Sequence, residues 1–583
     1  MRCFPSAPRL PERSGEVSSG TTSLSPVPWP AIDGLGRRLP LSEQTGPHRA
    51  DRFVGIFYFL WHGAHDTSGA DGPFDVSRIL QDCPDALRQP TAPPWGPEGA
   101  HHYWGEPLFG YYRSDDEWVL RRHAFLLADA GVDTLIFDTT NRVTYRHAYR
   151  TLCRVFSELR TAGERTPGIA FMCNTKPEET ARELYEDLYA AGDYRDLWFR
   201  WEGKPLLICD PAALSSELRE FFTLRKAHWP FEMKNTPFAW HWEATHPQPY
   251  GYTEDPQCPE QMNVSVAQNL RQSDGQVTPM SGGLARGRCF HDGCLDTRPG
   301  AENLGLNFGE QWQRALDTDP PFVMITGWNE WTASRFRRPE CPVMFVDQFD
   351  QQCSRDIEMA KAHHADHYYW QMAANIRRYK GTPPLPTASK PVRIDLAGGF
   401  EQWAAVRPEF RDHANETIPR NHPGVYRLWY ANRTGRNEIR VAKIARDAES
   451  VYFFVQTARP LTSFRDSRWM QLHIDADLDP ETGPDGYEFV VNRTVVDAET
   501  ALLERYTPDG RIEPVTAVPY RISGPRLHVA IPRKALGLDK DGAGITFDFS
   551  WTDNVGCERP LALYTEGDAA PLGRYRYRYT AKG

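Results

Sequence analysis

The chain lacks most of the signatures that reveal a function at once. No apolar run approaches the roughly 20 residues that a membrane-crossing helix needs. There is no excess of positive charge: 67 Lys and Arg face 77 Asp and Glu, a formal net charge of −10. That argues against nucleic acid as the main partner, because phosphate binding requires a concentrated basic face. The eleven cysteines include no C-x-x-C pair at zinc spacing. Cys289 and Cys294 flank Phe290-His291-Asp292-Gly293 without matching a metal pattern, and Cys153, Cys173 and Cys209 fall in helix or strand patterns as plain buried thiols. G-x-S-x-G and H-E-x-x-H are absent, and no G-x-G-x-x-G follows an early strand, which weakens serine-hydrolase, zincin and dinucleotide folds in turn. No metal and no cofactor is expected.

Aromatic residues are abundant. Eighteen Trp, 24 Tyr and 29 Phe make 12 % of the chain, a content that suits carbohydrate recognition and equally a large β-rich core. With 583 residues there is room for two or three domains. Residues 1–48 are rich in Pro, Ser, Gly and Arg without periodicity and are expected to be a disordered leader. Met1-Arg2 is basic, but no apolar stretch of 7–15 residues follows it, so no ordinary signal peptide is visible.

From residue 49 to 381 strand and helix patterns alternate. Strands are expected at 53–60, 132–137, 168–172, 205–210, 238–243, 264–268 and 322–326, with an eighth at 342–346. Helices are expected at 145–162, 178–191, 215–226, 309–316 and 359–379. Ser114-Asp115-Asp116-Glu117 reads as a capping box opening a helix that Gly131 ends. The succession predicts a (β/α)₈ TIM-type barrel. A linker at 382–391 then leads to short strands at 451–455, 470–474, 487–491, 527–531 and 545–551, the pattern of an antiparallel β-sandwich over 392–583.

The most informative stretch is Phe322-Val323-Met324-Ile325-Thr326-Gly327-Trp328-Asn329-Glu330-Trp331. An apolar run stopping at a glycine suits a strand buried on both faces, which places Glu330 at the C-terminal rim where barrel active sites are built. A carboxylate between indoles suits a sugar site: the rings stack on a pyranose and the acid serves the glycosidic oxygen or the water. Glycoside hydrolysis needs a second carboxyl, and Asp138 and Glu243 at other strand ends are the candidates. Substrate contacts are expected from Trp61, His62, Trp104, Asn174, Lys176, Trp240, Trp242, Gln268, His291, Trp328, Asn329 and Trp331. Ser354 could cap the last helix, or Arg355, Asp356 and Glu358 could line the mouth of the site.

Residues 53–381 resemble the endo-α-mannosidase-like glycoside hydrolases of family 99 and the related WbsX-type proteins. The resemblance lies in Gly110-Tyr111-Tyr112-Arg113-Ser114-Asp115, in Ala130-Gly131-Val132-Asp133, in Glu310-Gln311-Trp312, and in Trp328-Asn329-Glu330-Trp331. It implies a metal-independent barrel glycosidase in which Glu330 is one catalytic carboxylate. The family's other carboxylate, three residues on, is Ala333 in this chain. The C-terminal part resembles family 9-like carbohydrate-binding modules through Phe400-Glu401-Gln402-Trp403, Val451-Tyr452-Phe453-Phe454-Val455 and Ile474-Asp475-Ala476-Asp477-Leu478-Asp479. Such modules often carry structural calcium. Asp475, Asp477 and Asp479 have oxygen-ligand spacing, but Pro480 and Gly486 stand where an EF-hand loop needs Gly and Glu, which favours turn chemistry.

The expectation is a periplasmic or extracellular glycoside hydrolase acting on a polysaccharide or oligosaccharide. The alternative is a non-hydrolytic carbohydrate-binding protein or a polysaccharide-biosynthesis glycosyltransferase.

Overall fold

The computed structural model describes residues 22–66, 71–91, 94–232, 234–339, 341–539 and 544–582. Residues 1–21 of the expected leader lie outside the described residues. Residues 22–48 are packed, contrary to expectation. Trp29 meets the Tyr577 ring edge-on at 5.2 Å, Arg377 donates to the carbonyls of Val27 and Trp29, and Ala31 bridges to Tyr575. A proline-rich strap has no periodicity to reveal it, and its carbonyls are satisfied by a buried arginine instead of a ladder.

Eight parallel strands form one nearly closed sheet. They are β1 Phe53–Tyr58, β2 Thr134–Thr139, β3 Gly168–Cys173, β4 Lys204–Ile208, β5 Thr223–His228, β6 Ala239–His241, β7 Pro259–Ser265 and β8 Phe322–Thr326. From β1 to β6 each pairs with the next in chain order; β7 pairs with β8, and β8 returns to β1. The gap between β6 and β7 is spanned by the Gln261 side chain, which accepts from the His241 amide at 2.8 Å and donates to the His241 carbonyl at 2.9 Å. One side-chain amide thus supplies the two bonds that a ladder pair would give.

Strands such as β1, β3 and β8 are mostly apolar because their alternate residues enter two different cores. Phe53 and Phe57 of β1 fill the lumen with Ile136, Met172, Trp240, Trp242 and Phe322, while Val54 and Ile56 pack with Leu135, Phe171 and Val323 beneath the helices. The lumen is so full that a Cβ on Gly55 would stand 2.6 Å from the Phe322 ring. Besides the short helices Ser42–Thr45 and Val76–Asp82, the helices among the described residues are α1 Glu117–Ala130, α2 Arg146–Thr161, α3 Pro177–Leu184, α4 Ser216–Phe221, α5 Leu306–Thr318 and α6 His367–Lys380.

Several expected elements move. The helix at 215–226 is α4 followed at once by β5, whose polar residues Thr223, Arg225 and Lys226 hid its strand character. Arg225 is tolerated because Glu260 takes it in a buried pair at 2.6 Å. With β5 counted, the final strand is 322–326, and 342–346 contributes only a bridge between Phe336 and Met344. Ser114 does not cap α1: its hydroxyl accepts from the His62 amide, and Asp116 caps Trp118 instead. Ser354 is no helix cap either, since α6 begins at His367.

Beyond α6, residues 382–391 carry no helix or strand. The expected sandwich is one continuous antiparallel sheet of eleven strands. Strand Ile512–Ser523 pairs with Thr500–Tyr506 along its first part and with Arg526–Pro532 along its last, so the sheet wraps, barrel-like, around Phe453, Leu472, Phe547 and Trp551. This unit docks on α1: Arg420 pairs with Asp116 at 2.7 Å, and Arg122 donates to the carbonyls of Tyr564 and Glu416. Among the described residues no helix is long and apolar enough to cross a membrane.

Candidate active site

The segment after β8 is fixed from below. The Trp328 amide donates to the Phe57 carbonyl at 2.8 Å. Asn329 Oδ1 accepts from the Phe59 amide at 2.9 Å, and Asn329 Nδ2 donates to the Tyr112 hydroxyl at 3.2 Å. Clamped this way to the end of β1, the backbone presents Glu330 over the lumen.

There Glu330 meets Arg355. Arg355 Nε and Nη2 donate to Glu330 Oε2 at 3.1 and 2.9 Å, and Nη1 donates to Glu243 Oε2 at 3.0 Å. Nη2 also approaches Asp347 Oδ1 at 3.4 Å. The other oxygen of Glu243 accepts from the Asn269 amide at 2.9 Å. Arg355 lies over the Trp242 ring, 4.9 Å from its centroid. Three carboxylates therefore share one guanidinium. Arg355 and Glu243 are fully buried and the Glu330 side chain is 4 % exposed, whereas Asp347 is 37 % exposed, so the cluster meets solvent through Asp347.

Burial sets the proton balance. It pushes the Glu330 carboxyl well above the ordinary range; Arg355 opposes this, and Asp347 and Asp356 add to it. Burial likewise raises Glu243 to about 7 against the pull of Arg355. Burial thus favours the protonated form of both carboxyls while Arg355 opposes it in both, the environment in which a carboxyl can serve as an acid near neutral pH. Asp138 is also raised by burial, although its Oδ1 accepts from the Thr140 amide and hydroxyl, and the Asp347 charge acts on it.

The walls of the rim carry unused donors. Among the described residues the indole N–H groups of Trp61 and Trp242 are buried without a partner. Trp61 stands edge-on to His101 at 5.7 Å; His101 stacks on His65 at 4.5 Å, and His65 bonds the Tyr145 hydroxyl at 2.8 Å. Trp229 lies 5.5 Å from Trp242 and lines a rim cavity of about 280 Å³ with Asn174, Asp210, Lys226 and Phe231.

No family model matches the chain, and no curated protein matches it. Among solved structures, the GH99 endo-α-mannosidase from Bacteroides thetaiotaomicron matches in two forms. One is in complex with bis-tris-propane; the identities are 15 % and 16 %, over 56 % of this chain and 97 % of that one, each with a TM-score of 0.34. Likeness of that degree says nothing of chemistry.

The structure brings Glu330, Glu243 and Trp242 together around Arg355, with Asp138 and Trp61 at the same end of the barrel. Asn174 lines the rim cavity beside Trp229, Asn329 forms the clamp below Glu330, and the remaining expected contacts are placed elsewhere. The two indoles that flank Glu330 in sequence are turned inward. Trp331 stacks on Trp104 at 4.8 Å and donates to Glu358, while Trp104 donates to Asp356. Trp328 lies edge-on to His123 beneath the helices. Trp240 is at the opposite end of the lumen, bonded to Glu260 at 2.8 Å. His62 bonds the Asn329 carbonyl, and burial lowers its pKa to about 4. Gln268 is buried against Asn307 and Ser265. Lys176 is exposed beside Glu179, and His291 sits in a hairpin beside Asp292 and Asp296. Ala333, in strand Thr332–Ser334, pairs with His102.

Arg355, expected at the mouth, is the hub of the site. Asp347, Asn269 and Trp229 were missed. They lie in long excursions after β5, β7 and β8 that carry no periodic signal, so only their convergence in space marks them.

Proposed function

We propose that the chain is a glycoside hydrolase acting on a polysaccharide or oligosaccharide. The observation that supports this most is the Glu330–Arg355–Glu243 arrangement at the rim, in which two carboxyls raised by burial share one guanidinium. Glu330 donates its proton to the glycosidic oxygen as the C–O bond breaks. Water adds at the anomeric carbon and gives its proton to Glu243, and Arg355 stabilises the carboxylate left on Glu330. Substrate enters from the Asp347 side, with the ring faces and free N–H groups of Trp242 and Trp61 as the sugar contacts.

The near-complete enclosure of Glu330 and the alanine at position 333 favour a second reading, a carbohydrate-binding protein without turnover. The two are separated by reducing-sugar release from a panel of plant, algal and bacterial polysaccharides, wild type beside Glu330→Gln. Release by the wild type that falls at least a thousandfold in the variant, on the scale of losing a catalytic group, supports hydrolysis. Binding without release by the wild type supports the second reading.

A further inference from the structure

The charge at the mouth of the rim runs one way. Glu330, Glu243 and Asp347 share a single cation, Arg355, and that guanidinium is fully buried. Asp347 is the member that reaches solvent, at 37 % exposure. Its charge acts on Asp138, Glu243 and Glu330 alike, so Asp138 belongs to the same group of acids. Asp138 Oδ1 accepts from the Thr140 amide and hydroxyl at 2.9 and 2.7 Å, and Asp347 Oδ1 takes the long contacts to Arg355 and Asn269 at 3.4 and 3.5 Å. Among the described residues the second oxygen of each accepts from nothing, and Asp138 forms no ion pair.

The cations at neighbouring strand ends are committed, Lys226 to Glu232 at 3.0 Å and Lys176 to Glu179 at 3.3 Å. Burial lowers the pKa of His65 and drives His101 down to about 3, so the imidazoles between Trp61 and Tyr145 bring no charge at neutral pH. A carboxylate or sulfate on a sugar finds no exposed cation here and meets Asp347, and such a repulsion is itself a specificity device. An ammonium finds two carboxylate oxygens without a donor, and charge-assisted bonds of that kind are roughly twice as strong as neutral ones. The rest of a sugar ring is provided for as well. The Trp61 and Trp242 side chains, each 8 % exposed, hold N–H groups that lack an acceptor among the described residues, and a ring hydroxyl supplies one.

We infer that the rim is selective for a cationic amino sugar, a hexosamine unit whose free ammonium docks between Asp347 and Asp138, and that it turns away uronates and sulfated glycans. This rests on the reading of the rim as a glycan site and adds the class of glycan.

The test is calorimetric binding to the full chain at a single ionic strength and about pH 5.5, where a sugar amine is protonated. The probes are glucosamine oligomers, the same oligomers N-acetylated, and oligogalacturonate. The glucosamine oligomers should bind about tenfold or more tightly than their N-acetylated forms, the scale of one charge-assisted bond, and oligogalacturonate should not bind. Asp347→Asn should cut that preference to below about threefold, and Asp138→Asn should lower it in the same direction. Glu179→Gln, which removes an exposed acid paired with Lys176, should leave it intact. The chain carries a net charge of −10, so a merely non-specific attraction for polycations would survive Asp347→Asn, and that survival overturns the proposal. It is also overturned, with no variant needed, if wild type binds the N-acetylated oligomers as tightly, binds oligogalacturonate, or binds none of the probes. Reducing-sugar release, followed in parallel, separates this from the hydrolase reading. Release from neutral glycans without amine preference sinks the amino-sugar class alone, and amine-selective binding without release sinks hydrolysis alone.

Discussion

Replacing Glu243 by glutamine should stabilise the protein above neutral pH and leave it nearly unchanged in weak acid. Glu243 is fully buried, and its pKa rises from an ordinary 4.5 to about 7. A carboxyl whose pKa is raised by folding binds its proton more tightly in the native state. Its contribution is therefore fully favourable below pH 4.5 and is lost as the pH climbs through 7. At about 1.4 kcal/mol for each pH unit, the interval corresponds to about 3 kcal/mol lost between weak acid and pH 8. Glutamine copies the shape of the protonated acid and cannot ionise, so it should keep what glutamate loses. The assay is urea unfolding followed by tryptophan fluorescence at pH 5 and at pH 8. The variant midpoint should match wild type at pH 5 and exceed it at pH 8. The attraction of Arg355 for the ionised form is already contained in the raised value. If Glu243→Gln is instead less stable at pH 8 than at pH 5 relative to wild type, the Arg355 pair outweighs burial and Glu243 is not raised.

Arg355→Met should lower stability most above neutral pH, where it leaves ionised Glu243 in the interior without its cation; the loss should shrink as the pH falls and the acids are protonated, read by the same urea curves. His413, held to about 10 by Asp129 and Glu164 despite burial, contributes stability that is complete below its ordinary 6.5 and lost as the pH rises through 10. His413→Gln should therefore destabilise at pH 7 and converge with wild type near pH 11. Lys176→Ala should change neither sugar release nor stability by more than about 0.5 kcal/mol, since its exposed pairing with Glu179 is of the weak surface kind; a larger loss of activity would put Lys176 back at the site.

The barrel was readable because its strands are buried on two sides. That condition forces unbroken apolar runs such as 168–172 and 322–326, and a run of that kind leaves few other interpretations. β5 escaped because Arg225 sits in its lumen, made tolerable by Glu260, a partner 35 residues away. The strap at 22–48 escaped for the opposite reason: it has no repeating pattern, and its order comes from arginines and rings supplied by both domains.

By itself, the sequence determined that an alternating strand and helix unit precedes an all-β unit, and that Glu330 falls at the end of a buried strand. Local period and the hydrophobicity of single elements suffice for that. Only the tertiary structure decided which way each side chain faces. The Asn329 clamp turns both flanking indoles away from the lumen, and Arg355, from beyond the last strand, gathers Glu330 and Asp347 of its own excursion with Glu243 from the one after β6. Which acid keeps its proton follows from that gathering, because the balance between desolvation and one shared cation is a property of positions in space and of no stretch of chain.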